Sequence, residues 1–346
     1  MAYFYVDNDG VATLDAGRFA SKQTGSFTTL GTASAYVSIT AALAATTPPA
    51  SGDFIVCSEL YSFDNVSSAI QHVFPATGAG VACISVDDTA IDSYKGGAKE
   101  ETNAAIQLSG KAAFYGFTSD TNNSLLVLNT NSSVTFKDST IALQTNNDTV
   151  GSQADGCYLQ LLNCVISCTD ASQLNLFTLR AGVRMDMIGG GISAAGTVGE
   201  LLSTTSSTNG GFELNMIGAD LSAVTGTLIN AGDVQNTDDI ITVSIDGCKL
   251  ATGVAYSLGF TNYGQSLLIT RSSDTSAAAE YQYYNEIYPG TVIDDTTVFR
   301  NQDEPFTQSN QRISYKVEPN ANCSIAIPMV FDFPILRYSK LSALAT

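Results

Sequence analysis

Through the middle of the chain, apolar and polar residues alternate in short blocks that recur at a nearly fixed interval. Five segments align without gaps: residues 132–141, 157–166, 183–192, 212–221 and 241–250. Their third positions are Val134, Leu159, Met185, Leu214 and Val243, and their fifth are Phe136, Leu161, Met187, Met216 and Ile245. Between them the fourth position is polar: Thr135, Gln160, Asp186, Asn215 and Ser244. This is the period of a strand with one buried face. The seventh position holds only Asp138, Asn163, Gly189, Gly218 and Gly247. These residue types most readily accept a left-handed backbone, so a sharp bend is predicted there. The tenth position turns inward again with Ile141, Ile166, Ile192, Leu221 and Leu250.

Successive units are offset by 25, 26, 29 and 29 residues. A unit of that length holds two or three short strands with their turns. It cannot bury its own apolar face, so the units must stack. Parallel coils about 4.8 Å apart satisfy this, because like residues then lie over like residues and each position keeps its character. A helical repeat is excluded by the lack of 3.6-residue apolar spacing and the abundance of Gly, Ser, Thr and Asn. A β-sandwich also predicts alternation and turns, but it does not predict a bend residue at one offset in five consecutive units. The repeat resembles that of right-handed parallel β-helices of the pectate-lyase and phage-tailspike kind. The fold class expected is therefore all-β, a right-handed parallel β-helix.

The coil extends in both directions. Phe114 and Gly116 repeat the inward-aromatic and bend pair ahead of Phe136, and residues 106–108, 81–84 and 54–56 read as earlier rungs. Residues 51–56 resemble the opening rung of such folds. Beyond Leu250, residues 267–269 fit with Arg271 at the bend, and the coil is expected to end near Ser276. Three regions result: an N-terminal arm and cap (1–50), the β-helix (51–276) and a C-terminal β region (277–346).

In the first region, Ala35 to Ala45 reads as one short helix stopped by Pro48 and Pro49, a candidate cover for the open coil end. The last region holds Pro289, Pro305, Pro319, Pro328 and Pro334, with Tyr281, Tyr283, Tyr284 and Tyr288 clustered at its start. Short apolar runs at 313–317 and 324–327 suggest a small antiparallel β region. The apolar tail from Phe331 to Leu344, carrying Arg337 and Lys340, reads as an oligomerisation or docking surface.

Composition narrows the function. With 15 Lys+Arg and 33 Asp+Glu the net charge is 15 − 33 = −18, which repels phosphate backbones and disfavours nucleic-acid binding. No apolar run reaches 18 residues, so no membrane span is expected. The N-terminus has no basic stretch followed by an apolar core, so no secretory signal is expected. Without one, the seven cysteines read as reduced, buried, small hydrophobes. Cys164 and Cys168 are the nearest pair, and a bridge between them is the alternative.

No metal or cofactor site is expected. His72 is the single histidine, so a His-rich metal site or triad is impossible, and it reads as a satisfied structural residue. The Asp87–Asp88, Asp238–Asp239 and Asp294–Asp295 pairs read as solvated turns, since adjacent strand side chains point to opposite faces. The candidate catalytic residues are Asp186 and Glu213, which stacking places on adjacent rungs, two residues out of step and about 6–9 Å apart. That separation suits a polysaccharide hydrolase of the inverting type. The other reading needs less: Glu213 over Arg184 and Asp186 over Asn215 are ordinary ladder pairs.

A rigid acidic β-helix resembles bacteriophage virion surface proteins, which form spikes, fibres and head decorations, usually as trimers. The resemblance covers about two-thirds of the chain as architecture and carries over no catalytic residue. It implies a non-enzymatic head-decoration (cement) or short-fibre subunit, made in the host cytoplasm and placed on the virion surface. It implies a homotrimer that contacts other virion proteins. The alternative it implies is a tailspike-type protein that binds or cleaves host surface polysaccharide as a hydrolase or lyase.

Overall fold

The computed structural model describes residues 2–6, 36–65, 67–87, 90–152, 154–179, 182–204, 212–231, 241–251, 255–257, 265–270 and 273–274. The expected C-terminal β region, the tyrosine cluster, the 331–344 tail and Arg271 lie outside the described residues.

Coil stacking follows directly from the hydrogen-bond registers. The strands Tyr158–Leu162, Val183–Ile188 and Phe212–Ile217 pair in parallel, with Leu159 beside Met185 and Met185 beside Leu214. Residues 133–137 precede them in the same register, and Ile241–Asp246 and Gln265–Thr270 follow. The protein is a parallel β-solenoid with three faces per coil. After the bend the chain enters a second face, where Thr140–Leu143, Val165–Cys168 and Gly191–Ala194 stack. A third face carries residues 106–109 and 125–128 and then Thr149–Ser152.

All five third-position and all five fifth-position residues are buried at 1% exposure or less. Ile141, Ile166, Ile192, Leu221 and Leu250 are buried as well. One continuous apolar column fills the coil interior, and within it Phe114 stacks on Phe136 with ring centroids 4.9 Å apart.

The bend lines up along one edge. Asp138 (φ 48°), Asn163 (φ 51°), Gly189, Gly218 and Gly247 (φ 62–66°) all hold left-handed backbone, as does Gly116. Five N–H groups of this column donate to a carbonyl of the next coil: Gly116 to Lys137, Asp138 to Leu162, Asn163 to Ile188, Gly189 to Ile217 and Gly218 to Asp246, all at 2.8–3.0 Å. From Gly116 to Asp246 the hydrogen bonding between coils therefore passes around the corner without a break.

At the N-terminal end the sheet starts earlier than residues 51–56. Tyr3–Val6 pairs in parallel with Phe54–Ser58, and Tyr3 stacks on Phe54 at 5.3 Å. The helix is shorter than the sequence suggests, Ile39–Leu43. Tyr36 forms a parallel bridge with Val6, its N–H donating to the Tyr5 carbonyl, and Ser38 is the N-cap, its hydroxyl accepting from the Ala41 N–H. Those two commitments keep residues before Ile39 extended. Ile39 and Ala42 form the buried face of the helix.

One coil carries an insertion. Val81–Asp87 turns back antiparallel against Ala90–Tyr94 before the chain rejoins the second face at Lys99–Thr102. None of the helices among the described residues is long and apolar enough to cross a membrane.

Candidate functional site

Alternation turns Tyr158, Gln160, Arg184, Asp186, Glu213 and Asn215 outward on three consecutive rungs of the first face. The register places Tyr158 beside Arg184 and Arg184 beside Glu213, with Gln160 beside Asp186 and Asp186 beside Asn215. Asp186 and Glu213 are therefore diagonal neighbours on one outward face.

Asp186 is 5% exposed despite facing outward, because its neighbours close over it. Its Oδ2 accepts from the Tyr158 hydroxyl at 2.7 Å and its Oδ1 from Asn215 Nδ2 at 2.9 Å. The Arg184 Nε lies 3.2 Å from both carboxylate oxygens. Burial pushes this carboxyl upward, but the hydrogen bonds from Asn215, Tyr158 and Arg184 and the guanidinium charge outweigh it and hold Asp186 below the ordinary carboxylate range. Tyr158 moves the opposite way, up to about 12, from desolvation and from its bond to the Asp186 carboxylate. Glu213 Oε1 accepts from the same Asn215 amide at 2.8 Å, and its Oε2 lies 3.8 Å from Arg184 Nη1. Arg184 also sits over the Tyr158 ring, 5.7 Å from its centroid.

The arrangement is a polar ladder. Both carboxylates share Arg184 and Asn215 as partners, and Asp186 is held ionised. A general acid in glycoside hydrolysis needs a raised carboxyl pKa, so Asp186 is set in the wrong direction for that role. The Tyr158 hydroxyl, which sequence reading did not single out, is the shortest contact to Asp186. It could have been found from the register alone, since the second position of the 157–166 segment lies diagonal to the fourth position of the next.

The second cluster lies inside the coil. His72 Nε2 is 2.7 Å from Glu100 Oε2, the Tyr61 hydroxyl donates to Glu100 Oε1 at 3.1 Å, and Thr40 Oγ1 lies 3.3 Å from His72 Nδ1. His72, Glu100 and Tyr61 are exposed by 2% or less. Burial and the adjacent Glu100 carboxylate push the Tyr61 hydroxyl far up. His72 thus has two partners, as a structural histidine requires, and one of them comes from the helix. Glu100 occupies a register column whose other members include Ile141, Ile166 and Ile192. No motif in the sequence marks it.

Among the described residues, six cysteines are free and buried, so Cys164 and Cys168 form no bridge. Burial raises both thiols to about 11, the nearby Asp148 carboxylate adding to the effect at Cys168, which makes them poor nucleophiles at neutral pH. Asp87 lies 3.5 Å from Lys95; Asp88, Asp238, Asp239, Asp294 and Asp295 lie outside the described residues. The described residues contain no cluster of three or more His, Cys, Asp or Glu side chains arranged to hold a metal. Comparison with protein-family models, with curated proteins and with solved structures gives no match.

Proposed function

We propose that this protein is a non-enzymatic subunit of a bacteriophage virion surface, a head-decoration (cement) or short-fibre protein. In this reading the solenoid is right-handed, the Ile39–Leu43 helix caps its N-terminal end, and residues 277–346 form a small antiparallel region for self-association, as a trimer, or for docking on capsid or tail proteins. The chain is made in the host cytoplasm and ends on the particle. The observation that supports this reading most is the unbroken hydrogen bonding of the bend edge from Gly116 to Asp246. It makes a stiff rod whose outward carboxylate, Asp186, is committed to holding neighbouring coils together.

Antibodies raised against the purified protein should label intact virions from the source culture at the head surface or along short fibres. Labelling confined to host material would end the virion assignment. Incubation with capsular polysaccharide should release no reducing ends or unsaturated uronates. Product formation that is lost in Asp186→Ala or Glu213→Ala would replace this reading with a depolymerase.

The second reading is a tailspike-type receptor-binding protein, and Tyr158 favours it. Its ring, under the Arg184 guanidinium, stands with Asp186 and Glu213 on one outward face, a set of donors and acceptors that a glycan's hydroxyls can bond. Glycan-array binding that falls in Tyr158→Ala would support it.

A further inference from the structure

His72 is the joint between the helix and the coil interior. Its Nδ1 lies 3.3 Å from Oγ1 of Thr40, an exposed helix residue, and its Nε2 lies 2.7 Å from Oε2 of Glu100 on the second face. Glu100 Oε1 accepts from the Tyr61 hydroxyl at 3.1 Å, and the Tyr61 oxygen is engaged in turn by the Ile39 backbone. One chain of polar contacts thus leaves the helix at Thr40 and returns to it at Ile39. Its surroundings are apolar: the Phe74 and Phe114 rings stand 6.0 and 6.5 Å from the imidazole, and Ile39, Ala42 and Ile70 belong to the same core cluster. Among the described residues, the other titratable groups facing the chain are Cys57 and Cys83. Burial raises Tyr61 and Cys83, so both keep their protons. Lys99 and Glu101, on either side of Glu100, point to the opposite face of the strand and pair with each other.

These contacts fix how many protons the closed cluster can hold. With a neutral ring and an ionised Glu100, Nε2–H donates to Glu100 and Nδ1 accepts from Thr40. With one proton added, the imidazolium donates to both. A second added proton has no place. Both Glu100 oxygens already face donors, and the Tyr61 oxygen is engaged. Once the helix lifts, water solvates every group, and His and Glu take protons at their ordinary values of about 6.5 and about 4.3. In acid the open state therefore binds more protons than the closed one, and the closed state loses stability as pH falls.

We propose that Thr40, His72 and Glu100 form a proton-sensitive latch, in which a second added proton on the His72–Glu100 pair releases the Ile39–Leu43 helix from the coil. Release bares the apolar surface that Ile39 and Ala42 cover. Glu100→Gln moves the set point. Its amide oxygen still accepts from Tyr61, and its amide nitrogen donates to Nε2 of a neutral ring. A protonated ring then meets a donor, so the variant releases at the first added proton, below about pH 6.5 and not below about pH 4.3.

The test is amide hydrogen exchange on the full chain across pH 3.5–8, read by mass spectrometry as protection relative to the free-peptide rate at each pH. The reporter is the 39–45 segment, where the Ala42, Ala44 and Ala45 N–H groups are bonded within the helix and that of Ala41 to Ser38. Residues 158–162 of the coil are the internal reference. In the parent, 39–45 should hold its protection down to about pH 4.3 and then lose it by about tenfold per pH unit, while 158–162 stays protected. In Glu100→Gln the same loss should begin below about pH 6.5. A parent whose 39–45 segment is unprotected at pH 7.5, or follows 158–162 at every pH, overturns the proposal without any variant. So does a Glu100→Gln profile that matches the parent's. Virion labelling is unaffected by any of these results, so this inference and the virion reading fail separately.

Discussion

Asn163 and Asp138 stand one coil apart, and the Asn163 Nδ2 donates to Asp138 Oδ1 at 2.7 Å while both residues hold left-handed backbone. One side chain thus does two jobs, tolerating the bend and tying it to the next coil. Asn163→Gly keeps the backbone and loses the amide, and should cost less than about 1 kcal/mol. Asn163→Val forces a β-branched residue into the bend and should cost about 1–2 kcal/mol, read as a lower urea midpoint with unchanged slope.

Glu100 is a buried carboxylate held by His72 and Tyr61. Removing it leaves the His72 ring and the Tyr61 hydroxyl without their shared partner. Glu100→Ala should cost about 3–5 kcal/mol. Glu100→Gln keeps an acceptor for Tyr61 and should cost clearly less. Equal losses in thermal unfolding would mean that the cluster contributes only packing.

Asp148 is fully buried, and its Oδ2 accepts the Gln144 and Thr145 N–H groups while its Oδ1 meets no donor. Gln173, whose Nε2 donates to the Asp148 carbonyl at 2.5 Å, likewise has an unpartnered buried Oε1. Burial raises the Asp148 carboxyl above its ordinary value against the pull of Thr145 and Gln144. With the folded value above the unfolded one, Asp148 favours folding at low pH and loses that contribution as pH rises through the folded value. Asp148→Asn should therefore be more stable than the parent at pH 7, by about 1 kcal/mol or more. The gap should close as the pH falls below the ordinary carboxylate range. A destabilised Asp148→Asn at pH 7 would contradict this.

Asp186 has the opposite sign. Its folded value is depressed, so its contribution is present above the ordinary carboxylate range and is lost as pH falls through the folded value. Asp186→Asn should lose about 1.5–3 kcal/mol at pH 7, the range for hydrogen bonds to a charged group. The difference from the parent should shrink in acid, measured by thermal melts across pH 2–7.

The bend edge was legible in the sequence because few residue types accept positive φ, so Asp138, Asn163, Gly189, Gly218 and Gly247 stood out at one offset. The inward columns were legible for a similar reason, since stacking repeats one environment in every coil. The third face was not. Its corners differ from coil to coil, turning at Gly110 in one and through Asn129 and Asn131 in the next. Tyr3–Val6 gave no periodic signal, because its partner strand starts 51 residues later, at Phe54. Asp186 and Glu213 could be placed on adjacent rungs from the repeat. The Asp186–Asn215 pair could be read from it too, whereas the bond from the Tyr158 hydroxyl to the Asp186 carboxylate depends on side-chain geometry and was not singled out. The His72–Glu100 contact joins two inward positions on different faces, and no local pattern encodes such a pair.

The central claim is that matching positions in successive coils lie over one another. Thr140 and Lys249 are separated by 109 residues of chain, yet the registers Thr140–Val165, Val165–Gly191, Gly191–Asp220 and Asp220–Lys249 place them four coils apart on one face. Nitroxide labels on genetically encoded ketone residues at 140 and 249, in protein diluted with unlabelled copies, would report that separation by double electron–electron resonance. Coil stacking predicts one narrow distribution centred at about 19 Å between backbones, widened only by the label arms. A broad distribution, or one centred beyond about 35 Å, would contradict it.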